Sequence, residues 1–111
     1  MYLYVETWNA KPAWLALDRA DRERFAGEVK GLLGTLVSDD LKLLGCVITE
    51  DDTHQHGGYQ YVAVWQASDR DQVKKIEEGT ARIGWHDYFE QVNLGSAHVG
   101  PEAVIEHMLN A

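Results

Sequence analysis

The first segment of the chain separates its side chains into two different surfaces. Successive side chains of a β-strand point to opposite faces of a sheet. One surface is therefore aliphatic and consists of Leu3, Val5 and Thr7. The other places aromatic rings around a single carboxylate and consists of Tyr2, Tyr4, Glu6 and Trp8. Residues 58–65 repeat the alternation, with Tyr59, Tyr61 and Trp65 opposite Val62 and Val64. An aromatic sheet surface of this kind needs a cover other than solvent, which is a partner sheet, a ligand or both.

Apolar residues at helical spacing predict two long helices. The first runs from Asp18 to about residue 37, with Asp18 as its N-cap and Asp21 in its first turn. The second begins at Ser68, with Asp71 three residues later in a pattern that resembles a capping box, and ends near Gly84. Two shorter helical segments, at residues 12–17 and 101–109, begin with proline, which the first helical position tolerates.

Four strands are predicted, at residues 2–9, 41–49, 59–67 and 88–94, with a polar connection over 50–58 and a loop over 95–100. The order is therefore βαββαβ followed by a tail helix. Because crossovers are right-handed, this order predicts an α+β ferredoxin-like fold, with a four-stranded antiparallel sheet and both helices on one face. We expect a single domain over residues 1–111, with a core at 1–95 and a tail helix within 96–111.

Charge, cysteine content and the lack of long apolar runs limit the expected partners, disulfides and location. Eighteen acidic residues against ten basic ones give a net charge of −8, which disfavours binding to nucleic acid or to an anionic membrane surface. Cys46 is the only cysteine and stands in an apolar run, so we expect no intrachain disulfide and a small buried side chain. No leader-like segment and no apolar run of about 20 residues is visible, which favours a cytoplasmic location.

The aromatic surface contains the main candidate site. We expect the aliphatic surface to lie under the helices and the aromatic surface to face away from them. There Glu6 would be a desolvated carboxylate with a raised pKa, suited to act as a general base. The side chains expected to surround it are Tyr4, Trp8, Tyr61, Trp65 and Asn93. The alternative interpretation, which we favour because aromatic residues are enriched at interfaces, is that this surface forms a dimer.

The histidines offer weaker candidates. His54 and His56, close to Asp51 and Asp52, have the residue types of a divalent metal site, but no third histidine is set by the spacing. A solvated loop explains them better. His86 follows a predicted helix end, where it either reaches the mouth of a site or interacts with the last helical carbonyls.

The segments MYLYVETWNAKPAW, GYQYVAVW and GWHDYFEQVN, in this element order, resemble the dimeric α/β-barrel superfamily and, within it, a small uncharacterised bacterial family. The resemblance covers residues 1 to about 95. It implies a homodimer in which two sheets pack face to face. It also implies one of several activities, because the superfamily includes cofactor-free monooxygenases, isomerases, polyketide cyclases and haem proteins.

The resemblance suggests different residues for different members of the superfamily. A monooxygenase would use Trp65, Asn9 and Arg82, whereas a cyclase would pair Tyr61 or Tyr88 with His86. A haem protein would take its axial ligand from His86, His98 or His107.

Our leading hypothesis is a cofactor-independent enzyme of the monooxygenase, isomerase or cyclase type. It would act on a small apolar molecule of aromatic or polyketide-like structure. Glu6 or His86 would accept a proton, and the surrounding aromatic and amide side chains would position the substrate. The main alternative is a non-catalytic homodimer that binds a small ligand, and the third is a metal or haem protein that uses its histidines.

Overall fold

The computed structural model describes residues 1–111 and contains four strands and five helices. The strands are β1 (Tyr2–Ala10), β2 (Leu41–Ile48), β3 (Tyr61–Ala67) and β4 (Phe89–Ala97). The helices are α1 (Pro12–Leu15), α2 (Arg19–Leu36), α3 (Arg70–Arg82), α4 (Trp85–Tyr88) and α5 (Pro101–Leu109). None of these helices combines the length and the apolar character that crossing a membrane requires.

The sheet confirms the predicted ferredoxin-like topology. Its strand order is β2-β3-β1-β4, and every neighbouring pair is antiparallel. The two crossover helices, α2 and α3, cover one face. β1 is an inner strand, so Glu6 at its centre lies between Ala63 of β3 and Asn93 of β4.

The helix starts follow local capping chemistry. The Asp18 carboxylate accepts a hydrogen bond from the Asp21 backbone N–H at 2.8 Å, as the sequence predicted for α2. For α3 the predicted cap, Ser68, was wrong by one residue, because Asp69 accepts the bond from Gln72 N. The Ser68 hydroxyl instead donates to Asp40 at 2.7 Å.

β4 is longer than predicted and extends through Ala97. Residues 95–97, predicted to be a loop, pair with Tyr4, Leu3 and Tyr2 of β1. A glycine at position 95 is needed because a Cβ there would lie 2.8 Å from the Leu3 carbonyl oxygen and 3.0 Å from Tyr4 Cδ1. This Gly therefore marks the close approach of two backbones within the sheet.

The predicted orientation of the sheet was wrong. The residues of each surface were grouped correctly, but the aromatic surface lies under the helices and the aliphatic surface is open. Tyr4, Glu6 and Trp65 are buried, and the cluster around them includes Leu32 and Ile76 from the two helices. The physical reason is size matching: the small residues Ala63 and Ala67 alternate with the large ring of Trp65, so that the helices can pack closely above them.

The open face of the sheet is aliphatic and has no cover within the chain. Its residues include Val5, Leu44, Val47, Val62, Val64, Val92 and Leu94. Leu44 and Val47 are 55% and 56% exposed, and Leu94 is 65% exposed. An apolar patch of this extent is typical of an interaction surface.

Two glycine substitutions test the packing of this fold. We expect Gly95→Ala to lower the free energy of unfolding by about 1–3 kcal/mol, because the new methyl group would press against a strand backbone that cannot move aside. At Gly31 in α2 an added Cβ has no neighbouring atom within 4 Å. Gly31→Ala should therefore raise the free energy of unfolding by about 1 kcal/mol, because alanine has the higher helix propensity. Urea unfolding of the wild type and both variants measures the two changes in the free energy of unfolding. Equal effects at the two positions would contradict the close approach at Gly95.

Candidate functional site

A cavity of about 150 Å³ lies between the helix-covered face of the sheet and helices α2 and α3. Apart from Glu6 and Thr80, all of its lining residues are hydrophobic. The lining comprises Glu6, Trp8, Val29, Leu32, Leu33, Leu36, Leu43, Cys46, Ala63, Trp65, Ile76, Thr80, Ile83 and Trp85. The Thr80 hydroxyl donates to the Ile76 and Glu77 carbonyls of its own helix, so Glu6 is the main polar group of the cavity.

Glu6 is the only buried charged residue, with 7% of its surface exposed. Each carboxylate oxygen accepts one side-chain hydrogen bond. The Trp65 indole N–H donates to Oε1 at 2.7 Å, and the Gln91 amide donates to Oε2 at 2.8 Å. Buried polar groups are normally satisfied in this way, and the carboxylate is thereby held in one orientation at the cavity wall.

A second indole determines which way the Gln91 amide points. The Trp85 N–H donates to Gln91 Oε1 at 2.7 Å, so the amide nitrogen must face Glu6 and Asn93. A flipped amide would turn its oxygen away from the Trp85 donor and lose this bond. α4, which carries Trp85, is in turn attached to the segment before α1 by Lys11, whose Nζ donates to the His86 carbonyl at 2.6 Å.

The environment of Glu6 raises the pKa of its carboxyl group. Desolvation by burial raises the pKa of Glu6, and this effect outweighs the hydrogen bonds from Trp65 and Gln91 and the charge of His86, all of which lower it. The site therefore holds a carboxyl group that is more basic than an ordinary glutamate while both of its oxygens remain fixed in place.

An aromatic wall lies beside Glu6. The Trp8 ring stacks on Tyr61, with centroids 5.8 Å apart, and meets Trp85 edge to face at 5.5 Å. Trp8, Trp65 and Trp85 line the cavity, whereas Tyr61 supports Trp8 from behind. These rings give one side of the cavity flat apolar surfaces, to which a planar molecule would be complementary.

The structure places the other predicted site residues outside the cavity lining. Tyr4 is buried in the core, and its burial and the neighbouring Glu6 raise its pKa. Asn93 is exposed and reaches the site only through Gln91. His86 is exposed on α4 and affects Glu6 through its charge alone.

Three of the residues that the superfamily resemblance suggested, Asn9, Arg82 and Tyr88, also lie outside the cavity lining. Asn9 donates to the Gly58 carbonyl and accepts from Gln60 N, so it attaches the β2–β3 connection to β1. Arg82 is exposed, and Tyr88 packs against Trp14 and Phe25. None of these three residues lines the cavity.

The histidines do not assemble into a metal or haem site. Both ring nitrogens of His56 are engaged within its loop, by Thr49 Oγ1 at 3.1 Å and by Gly58 N at 2.9 Å, and His54 is exposed. His98 and His107 are exposed, and no histidine lines the cavity. The chain has no group of three metal-ligand side chains. The residues at the cavity therefore do not fit a haem with an axial histidine.

Sequence reasoning underrated three residues of the site. Gln91 and Trp85 complete the hydrogen bonds around Glu6, and the shared parity of Gln91 with Phe89 and Asn93 was the available signal. Cys46, expected to be buried, is exposed on the edge strand β2 but also lines the cavity. Partial burial, followed by the Glu6 charge, raises the pKa of its thiol.

Comparison with known proteins places the chain in a sequence family. Residues 1–111 match the model of the family described as "Family of unknown function (DUF6616)". No curated protein matches the chain in sequence.

Solved structures share the fold at low sequence identity. A variant of chlorite dismutase from Candidatus Nitrospira defluvii superimposes with a TM-score of 0.72 at 14% identity, over 95% of this chain and 42% of the other. A dabb family protein with a ferredoxin-like fold from Mesorhizobium loti gives a TM-score of 0.58 at 10% identity, over 89% of this chain and 97% of the other. The chain thus spans less than half the length of the chlorite dismutase. These likenesses support the ferredoxin-like fold, and activity has to be argued from the site.

The raised pKa of Glu6 predicts how stability depends on pH. Between the ordinary pKa of a glutamate and the raised value, the folded protein holds a proton that the unfolded chain has released. The contribution of Glu6 to stability is therefore greatest at low pH and falls as pH rises through this window, by at most about 1.4 kcal/mol per pH unit. Urea unfolding of the wild type and of Glu6→Gln over this range isolates the effect. A wild type that gains stability relative to the variant as pH rises would contradict it.

Proposed function

We propose that the chain, which belongs to this family of unknown function, is a cofactor-independent enzyme. It would transfer a proton on a small, neutral, apolar molecule. Aromatic and polyketide-like molecules are the substrate class that the cavity favours. The observation that carries the proposal is Glu6, a carboxylate with a raised pKa at the wall of an otherwise apolar cavity. Buried acids of this kind occur at catalytic sites because their pKa is brought closer to the working pH.

The size and lining of the cavity support a small apolar ligand. Engineered protein cavities of about 150 Å³ lined by aliphatic and aromatic side chains stay dry and bind benzene. The cavity here has a similar volume and lining, with one carboxyl group added. A single ring with a short substituent matches that space.

Charge supports a neutral ligand over an anionic one. No lysine, arginine or histidine lines the cavity, so an anionic ligand would lie beside Glu6 without a counter-charge. The net charge of −8 would also repel it before it entered. A neutral molecule with a weakly acidic proton avoids both costs.

The proposed step is a proton transfer through Glu6. The carboxylate takes a proton from a carbon next to a carbonyl group, the bonding electrons form an enolate, and Glu6 then returns the proton to the same or another carbon. No oxidant is consumed, so isomerisation and ring closure fit this step better than oxygenation. The hydrogen bonds from Trp65 and Gln91 keep the carboxylate aimed while its charge changes.

A second candidate function is binding without catalysis. The same cavity supports it, because hydrophobic lining and ring stacking give affinity whether or not Glu6 exchanges a proton. The two candidates differ in the role of Glu6, which would be a proton carrier in the first and only an orienting group in the second.

Phenylacetone, an apolar aromatic ketone with acidic benzylic protons, is a suitable probe. We expect saturable quenching of the cavity tryptophans and faster uptake of deuterium at the benzylic carbon in D₂O, followed by NMR. Glu6→Gln should retain binding and lower the exchange rate by about 100-fold or more. The exposed carboxylate variant Glu78→Gln is the matched control and should exchange like the wild type.

The outcomes separate the two functions. If phenylacetone binds but its deuterium exchange is not accelerated, the protein is a binding protein and not an enzyme for this class of ketone. Exchange that survives in Glu6→Gln would remove Glu6 from the proposed role. No binding of phenylacetone or toluene would contradict an apolar ligand altogether.

We also propose that the chain forms a homodimer through the open face of the sheet. The expected interface was the aromatic surface, but that surface is covered by the chain's own helices. The aliphatic open face instead offers two sheets a flat apolar contact, as in aligned sheet packing. The cavity lies on the other side of the sheet, so such a dimer leaves it accessible.

A charge placed in this face tests the dimer. Val64 lies on β3 beside Val5 of β1, and Val64→Glu should weaken self-association by about 100-fold or more, because the interface would bury an unpaired carboxylate. Sedimentation equilibrium measures the dissociation constant. Lys30→Glu, on the exposed side of α2, changes the net charge further and should have little effect. A wild type that stays monomeric at high concentration would rule the homodimer out.

A further inference from the structure

The C-terminal helix α5 is an apolar helix without a cover. Every one of its nine residues is exposed, and no side-chain cap closes its N-terminus at Gly100. Its large apolar residues fall at helical spacing on one side: Val104 is 47% exposed, Ile105 55%, Met108 67% and Leu109 75%. The opposite side carries Glu106 and His107.

A helix of this length needs a surface to pack against. Isolated helices shorter than about 12–15 residues are marginal in water, because few hydrogen bonds offset the cost of the first turn. α5 has nine residues and buries none of them. Within the chain, α5 therefore lacks the packing contacts that stabilise a helix of this length.

The rest of the chain does not provide this surface. The radius of gyration is 15.9 Å, whereas a compact domain of this length has one of about 13 Å. The longest dimension is 50 Å and the shortest is 20 Å. The excess is consistent with α5 extending away from the sheet and its helices.

The charge of the tail argues against a membrane as the cover. Residues 96–111 contain two glutamates and no lysine or arginine. Interfacial helices that bind anionic lipid carry basic residues on their polar side. Nothing in α5 would offset the repulsion between such a surface and a chain of net charge −8.

We propose that α5 packs on the body of a second copy of this chain and latches the dimer, an inference that rests on the proposed homodimer. The chain connects the two surfaces directly: Val92 and Leu94 of β4 lie on the open face, β4 is an edge strand, and three residues separate its end from α5. α5 therefore begins a short distance along the chain from residues of the proposed interface. In a two-fold dimer each copy would receive the other's helix, so both uncovered surfaces would be satisfied by one association.

The decisive experiment compares two double variants of the full chain by sedimentation equilibrium. Ile105→Glu with Met108→Glu places two carboxylates on the apolar side of α5, and we expect it to weaken the dimer about ten-fold or more. Ala103→Glu with His107→Glu adds the same side chains to the opposite side and should change the dissociation constant less than about two-fold. A chain that ends at Gly100 should dimerise as weakly as the first variant.

Each alternative result has a distinct meaning. Equal dissociation constants for the wild type and all three variants would overturn the latch while leaving the sheet-mediated dimer intact. A monomeric wild type would overturn both proposals. Flotation with vesicles of anionic lipid that depends on Ile105 and Met108, without any change in the dimer, would assign α5 to a membrane and also overturn the latch.

Discussion

The placement of the Glu6 carboxylate beneath two helices is the constraint on which the rest of the structure depends. A buried carboxylate is stable only when its oxygens are hydrogen-bonded, and here the donors come from β3 and β4, the strands on either side of β1. The bond from Trp85 to Gln91 then ties α4 to the same network. The position of one acid therefore couples the centre of the sheet to the helix before its last strand.

The same arrangement explains why the helix-covered face is aromatic. Large rings at Tyr4 and Trp65 fill the space between the sheet and the helices, while Ala63 and Ala67 leave room for α2 and α3 to approach. The apolar space left beside the rings is the cavity. The fold thus produces a small, mostly apolar site between the sheet and its helices, and the opposite, aliphatic face of the sheet is exposed.

The structural neighbours share the backbone topology of this chain. The chain superimposes on less than half of a chlorite dismutase, and at 14% identity the match concerns backbone topology. The cavity of this chain has no histidine in its lining. Its main polar feature is the Glu6 carboxyl group, which accepts hydrogen bonds from two side chains among apolar lining residues.

The sequence by itself determined the element order, the cap of α2, the tail helix and the two parities of β1 and β3, because capping and strand alternation are local properties. Alternation also grouped Glu6 with Trp8, Trp65 and Asn93. It could not decide which parity the helices cover, since both surfaces are apolar and either could be buried. Only the tertiary structure decided this, through the fit of small and large side chains against Leu32 and Ile76. Glu6 therefore lines a cavity instead of the expected interface, and the aliphatic face and α5 are exposed.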